Sequence, residues 1–440
     1  MINLVTTLSK YLMILLMAIY TYYNFRFFSI HDERAQRRLC RLQNAAMFSI
    51  HGLAYIIIYL RTEDEKTLMF FGAQFLFFVL YLSFYRVFYH NLSRLLLNNT
   101  CMLLCVSFIM LTRISFDKAV RQFAIVAVAA VITLIIPFII DRTWQLAKIP
   151  WVYGIIGLLM LLFVCVAGNK SFGAQLSISI GSFSFQPSEF VKISFVFFVA
   201  TMFYRSTDFK TVVITTIAAA AHVLILVLSK DLGSALIFFI TYLLMLFIAT
   251  SNWLYLGIGT AAGTGAAMIA YQLFSHVRVR VAAFRNPWAD IDGKGYQITQ
   301  ALFAIGTGGW FGMGLYQGMP KKIPVVEKDF IFAAISEELG GIFAICILLI
   351  CLGCFLQFML IAVKMQAIFY KLIAFGLGTV YMVQVFLTVG GVIKFIPSTG
   401  VTLPFVSYGG SSILSTFILF NVIQGLFILK RNEEEEDYEA

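Results

Sequence analysis

The chain has 440 residues, 60% of them hydrophobic and only 12% charged, with a formal net charge of +10. A soluble domain carries about 25% charged residues, so a water-soluble fold is excluded. The apolar residues run in long unbroken blocks, which argues for membrane-spanning helices and against a β-barrel, whose short strands alternate apolar and polar residues. The expected fold is an all-α polytopic membrane protein in the lipid bilayer. Its positive charge fits the positive-inside bias and a polar loop meeting anionic groups, with no nucleic acid implied.

In chain order, hydropathy predicts about thirteen spans, near residues 8–28, 43–61, 67–87, 94–113, 121–140, 148–168, 187–205, 211–229, 232–249, 252–273, 329–355, 366–394 and 404–429. The first lacks a basic leader and a small-residue cleavage site, so it reads as a retained helix and not a signal peptide. The span at 94–113 is the weakest, because Asn98, Asn99 and Arg113 interrupt it. Cys351 and Cys354 have C-x-x-C spacing but sit in an apolar block, where the seven cysteines read as packing thiols. Gly259 and Gly263 have the small-xxx-small spacing of closely packed helices.

Basic residues of the short connections orient the chain. Arg34, Arg37, Arg38 and Arg41 fall in the first, then Arg142 and Lys148, Arg205 and Lys210, Lys364 and Lys371, with Lys430 and Arg431 after the last span. Placing these inside puts the N-terminus outside and the C-terminus in the cytoplasm, as an odd span number requires. Residues 169–186, 274–328 and 397–403 are then outside, and the acidic end at 431–440 reads as a solvated tail. Most other loops are near ten residues, so the long connection at 274–328 stands out as a functional candidate. Its apolar piece at 298–315 is too short and glycine-rich to span and suits a re-entrant or interfacial segment.

Charges at a membrane rim need a partner or a task. Glu189 and Lys192 lie three apart at the outer start of a span, as an internal ion pair or as substrate contacts. Asp231 suits an N-cap. Arg278, Arg280, Arg285 and Lys294 in the long loop could meet lipid headgroups or hold a phosphate-bearing lipid substrate. Asp329, beside Glu327 and Lys328 where the loop enters a span, could be a cap or a general base for a hydroxyl delivered along the membrane surface. Glu337 and Glu338 lie too far along the same helix to pair with it, and are expected to pair with Lys192 or Lys394.

Five blocks in register resemble the SEDS family of bacterial cell-wall proteins, the RodA/FtsW/SpoVE type: QPSEFVK (186–192), KDLGSAL (230–236), GYQITQALFAIGTGGWFGMGL (295–315), KDFIFAAISEELG (328–340) and PSTGVTLPFVSYGGSS (397–412). The resemblance implies a ten-span core at 93–430, preceded by three extra spans at 1–92. It implies a glycosyltransferase that polymerises lipid II into glycan strands on the outer face of the bacterial plasma membrane, with a class B penicillin-binding protein as partner and a divalent cation, Mg or Mn, at an unplaced site. The family's essential aspartate falls on Asp329, as general base toward the acceptor sugar. Arg278, Arg280, Lys294, Gln186, Glu189, Lys192, Asp231 and Ser407 are the expected substrate-binding residues. Leu176 and Ser177 stand where the family usually has an Arg-Trp pair, and Lys230 where proline often precedes the aspartate. A lipid II transporter and a catalytically weak scaffold are the alternative readings.

Overall fold

The computed structural model describes residues 2–142, 144–171, 174–180 and 183–439. Its helices are α1 (Ile2–Arg26), α2 (Glu33–Thr62), α3 (Glu65–Phe88), α4 (Arg94–Ile114), α5 (Phe116–Thr133), α6 (Ile136–Arg142), α7 (Pro150–Ala167), α8 (Ser188–Arg205), α9 (Phe209–Leu228), α10 (Leu232–Thr250), α11 (Trp253–Leu273), α12 (Ser275–Arg285), α13 (Tyr296–Gly308), α14 (Ile331–Leu339), α15 (Gly341–Lys364), α16 (Ile368–Val392) and α17 (Gly410–Glu439). Among the described residues twelve helical segments are long and apolar enough to cross a membrane, α5 and α6 together forming one of them. The 18-residue α8 makes a thirteenth, although Glu189, Lys192 and Arg205 lower its hydropathy. Asp32, Asp64 and Asn252 cap α2, α3 and α11 through their side chains. Pro137 has no N–H to give the preceding turn, and the span breaks between α5 and α6.

The span that looked weakest is the most buried. In α4 every residue from Leu95 to Thr112 is buried, because its polar groups face protein and not lipid. Asn98 donates to the Cys40 carbonyl and to Gln43, Asn99 donates to Asn24, and Tyr20 donates to Asn99. These bonds fasten α1 and α2 to the centre of the bundle. The Asn24 side chain fills the space beside Gly353 on α15, where a methyl group would not fit.

Two ends can be told apart. At one, Arg431 pairs with Glu33, Asn91 bonds Asn432, and Arg205 bonds the Lys148 carbonyl. At the other, Lys10 reaches the Gly312 carbonyl at 2.8 Å, and the long loop, α12 to α14, and a hook at 393–409 gather. A three-stranded antiparallel sheet also lies there, which hydropathy did not predict: β1 (Asn169–Ser171), β2 (Ala174–Ile180) and β3 (Phe183–Phe185). Ser177 sits opposite Asn169 in it, and the Leu176 side chain lies outside the described residues.

The predicted span at 329–355 is corrected. The chain makes the nine-residue α14, turns at Gly340 (φ +94°) and only then enters α15. A side chain at Gly340 would strike the backbone of Phe311 and Gly312, and one at Gly308 the Ser336 carbonyl. The glycines therefore let α13 and α14 touch backbone to backbone, tied by Met313 and Gly314 N–H groups to the Glu337 and Glu338 carbonyls at 2.9 Å. The last helix begins at Gly410, after the hook, and runs on through the acidic residues, which are helical up to Glu439.

Candidate functional site

The matched blocks converge on the looped end. Asp231 caps α10 by accepting from the Ser234 N–H at 3.1 Å, and its other oxygen accepts from the Ser188 hydroxyl at 3.2 Å. Gln186 donates to Ser188 at 3.2 Å, and its backbone N–H reaches Ser411 at 2.9 Å. Gly233 lies against Thr399 and Val401 of the hook. From α12, Arg280 donates to the Thr399 carbonyl at 3.1 Å. Its guanidinium is electrostatically coupled to Asp329 and Asp231; burial lowers its pKa and the two carboxylates oppose that.

Asp329 is half-buried, immediately before α14. Burial pushes its carboxyl up to about 6; its own backbone N–H, then Arg280 and Lys328, pull the other way, and Glu327 adds to the rise. A carboxyl poised near neutrality is suited to taking a proton from a hydroxyl. Burial also raises Asp231, tempered by Ser234 and Ser188. His276, one turn before Arg280 on α12, is lowered by burial and by the charges of Arg280 and Lys230. Lys230 thus adds positive potential near Arg280, while His276, shifted toward its neutral form, keeps a ring nitrogen without a hydrogen-bond partner. The i, i+4 spacing of His276 and Arg280 was the sequence signal for that face.

The turn bearing Asp329 is bracketed from two sides. The Tyr408 N–H donates to the Glu327 carbonyl at 2.7 Å, and the Ser407 hydroxyl donates to the Lys328 carbonyl. Lys118 on α5 pairs with Glu327 and, against the upward push of burial, holds its carboxyl below the usual range. Also on α5, Gln122 donates to the Ser407 carbonyl at 3.0 Å and accepts from the Gly409 N–H at 3.3 Å. Ser407 is therefore corrected from substrate contact to support: it is buried and its hydroxyl is engaged, also accepting from the Leu403 N–H at 2.9 Å.

Glu189 and Lys192 are corrected in the same way. They form a buried pair at 2.7 Å; Ser415 donates to Glu189 at 2.9 Å and Lys192 donates to Gln384 at 2.6 Å. Gln384 in turn donates to the Thr402 carbonyl. The internal-pair reading is the one the geometry supports, and it ties α8 to α16 and α17. The expected partners of Glu337 and Glu338 are also replaced. Glu338 pairs with Arg113 of α4 at 2.9 Å, and Glu337 accepts from the Met319 N–H. Arg113 lies over the Tyr316 ring, 4.2 Å from its centre. Arg278 and Lys294 are exposed, and among the described residues neither side chain makes a hydrogen bond or ion pair. The structure does not bring them onto the Asp329 cluster.

Beside the cluster an apolar groove of about 500 Å³ opens between α5, β3 and the start of α17. Ala124, Ile125, Val128, Phe185, Phe190 and Leu414 form its walls, with Arg121, Tyr408 and Ser411 as polar edges. Among the described residues no three His, Cys, Asp or Glu side chains could jointly hold a metal ion. Asp231 is taken by serines, Glu327 by Lys118, and Asp329 faces Arg280. The residues do not fit a protein-held divalent cation.

Residues 92–432 match a family model described as a cell cycle protein, of the FtsW, RodA and SpoVE type. The chain is 36% identical over 324 residues to a peptidoglycan glycosyltransferase RodA of Mycobacterium tuberculosis, covering 68% of this chain and 67% of that one. It is 30% identical over 339 residues to a probable peptidoglycan glycosyltransferase FtsW of Neisseria gonorrhoeae (67% and 71%). It is 32% identical over 324 residues to the stage V sporulation protein E of Bacillus subtilis (70% and 87%). Among solved structures, a chain of a peptidoglycan synthase complex that coordinates polymerization and crosslinking shares the fold, with TM-score 0.65 and 22% identity over 78% of this chain and 98% of that one. The crystal structure of the rod shape determining protein RodA of Thermus thermophilus shares it with TM-score 0.58 and 21% identity, over 78% and 97%.

Proposed function

The chain belongs to the FtsW, RodA and SpoVE family of peptidoglycan glycosyltransferases, and on that premise we propose that it lengthens glycan strands from lipid II, with Asp329 as general base. The observation that carries this reading is a half-buried carboxyl, raised to about 6 and electrostatically opposed to Arg280, on a turn held by Tyr408, which itself lines an apolar groove. Asp329 takes the proton of the acceptor sugar hydroxyl as its oxygen attacks the donor sugar. The bond to the lipid diphosphate breaks, and the developing charge on that leaving group is met by Arg280, with Lys230 nearby. The groove receives the polyprenyl chain, so that the sugar is presented at the height of Asp329.

The positive-inside bias places the Arg34–Arg41 end in the cytoplasm and the Asp329 end outside, with the N-terminus out. A class B penicillin-binding protein is the partner that would cross-link the product. Transport of lipid II is disfavoured because Glu189, Lys192 and Glu338, which would line a polar path, are already paired within the bundle. The test is polymer formation by purified protein given lipid II and a divalent metal salt. The parent makes glycan polymer, and a folded Asp329→Ala makes none. Polymer from Asp329→Ala would remove the base assignment. Lipid II crossing vesicle membranes without polymer from the parent would favour transport, and neither activity with retained partner binding would favour a scaffold.

A further inference from the structure

The groove and the base share two structural members. On α5, Arg121, Ala124, Ile125, Val128 and Ala129 line the groove, while Lys118 and Gln122 of the same helix grip the hook and the Asp329 turn. In the hook, Tyr408, Gly410 and Ser411 line the groove, while Ser407 and the Tyr408 N–H hold the carbonyls of Lys328 and Glu327. Asp329 is the next residue along. We propose that Ser407 and Gln122 are positioning residues that couple the groove to Asp329, so that a lipid chain lying between α5 and α17 sets the carboxyl for proton transfer. This rests on the reading of Asp329 as base and of the groove as the lipid-chain site.

The geometry makes the coupling stiff. Gln122 is 0% exposed and Ser407 2%, and every polar atom of the Gln122 amide and the Ser407 hydroxyl is engaged as described. Losing one of these bonds leaves a carbonyl or N–H in a largely enclosed place without its partner. A movement of α5 against the start of α17 is resisted by these bonds first and is passed to the two peptide units before Asp329. An unfilled groove leaves its walls without a packing partner on one side. A chain of lipid fixes their separation, and with it the position of the turn.

The experiment compares lipid II carrying a full polyprenyl chain with an analogue carrying a short one, at saturating concentrations and over a range of pH. For the parent, kcat is higher with the long chain; a groove that only anchors substrate would alter KM alone. In Ser407→Ala and Gln122→Ala, kcat with the long chain falls about 10–100-fold, the order expected for a misplacement of about 1 Å. In both variants KM changes little and the dependence of kcat on chain length disappears. The acid limb of the profile moves below pH 6, because the loosened turn lets water reach Asp329, and Ser407→Thr regains most of the loss. A parent kcat indifferent to chain length overturns the proposal without recourse to any variant. So does a folded Ser407→Ala or Gln122→Ala that keeps the parent's kcat, or one that loses activity with chain-length dependence and acid limb unmoved. Polymer from Asp329→Ala would instead remove the underlying base reading, whatever the Ser407 variants do.

Discussion

Two sets of carboxylates and cations lie at the looped end of this bundle, and they differ in how completely they are satisfied. Glu189 and Lys192 are buried, 2.7 Å apart, and each has a further partner in Ser415 or Gln384. Asp329 is half-buried, and the cation coupled to it, Arg280, also faces Asp231 and spends a donor on the Thr399 carbonyl. Both set a carboxylate beside a cation, yet one pair is closed and the other has capacity left over. A closed pair can only hold helices together, because any change in its charge leaves a partner uncompensated in a dry interior. An open one can exchange a proton with a substrate.

The largest effect that would break this contrast is on Asp329. Asp329→Asn should lower kcat by about 10²–10⁴, the usual worth of a general base, without lowering stability above pH 6. Because the folded-state pKa is raised from 3.8 to about 6, the stability this carboxyl contributes is fully present below about pH 3.8 and lost as pH rises through 6. Asn never ionises, so the variant should melt no earlier than the parent at pH 7.5. An earlier melt by several degrees would mean that the carboxylate is structural after all.

At the closed pair the expectation reverses. Lys192→Met should cost about 3–5 kcal/mol, as for removal of one partner from a buried pair, measured by thermal or denaturant unfolding in detergent. Lys192→Met combined with Glu189→Gln should recover part of it. A variant that melts like the parent but loses polymerisation would return this pair to the substrate. Next in size is a shift of the pH profile. The parent's kcat should fall as pH drops below about 6, and Arg280→Ala should move that limb upward, since a positive charge that favours ionised Asp329 is gone. The smallest effect belongs to Arg278 and Lys294. Each is exposed, and substitution by Ala should change kcat less than about threefold while weakening attraction to anionic membranes by about 1 kcal/mol. A hundredfold loss at either would show that the long loop closes over the substrate.

Much of this architecture was legible because hydropathy is a local property. Most of the spans, the long loop and the shortness of the apolar piece at 298–315 follow from runs of apolar residues and from where they are interrupted. The exceptions are informative. The span at 329–355 hid a break at Gly340, since an apolar run looks the same whether the helix continues or turns at a glycine in the left-handed region. Asn98, Asn99 and Arg113 made α4 look like a poor span, when they are answered by groups of α2, of α1 and by Glu338 in turn. In the site, the sequence marked Asp231, Arg280 and Asp329 one by one and set Arg280 with Arg278 and Lys294; the fold instead places Arg280 between the two aspartates and leaves Arg278 and Lys294 exposed.

From its residues alone this protein is a thirteen-span helical membrane protein with a carboxylate at one rim, because crossing a bilayer demands long apolar helices and makes every rim charge conspicuous. The tertiary structure decided which of those charges are spent. Gln122 and Ser407 are 285 positions apart and Glu189 and Ser415 are 226 apart. Hydrogen-bond saturation is set by such long-range neighbours, and no local pattern of residues encodes it.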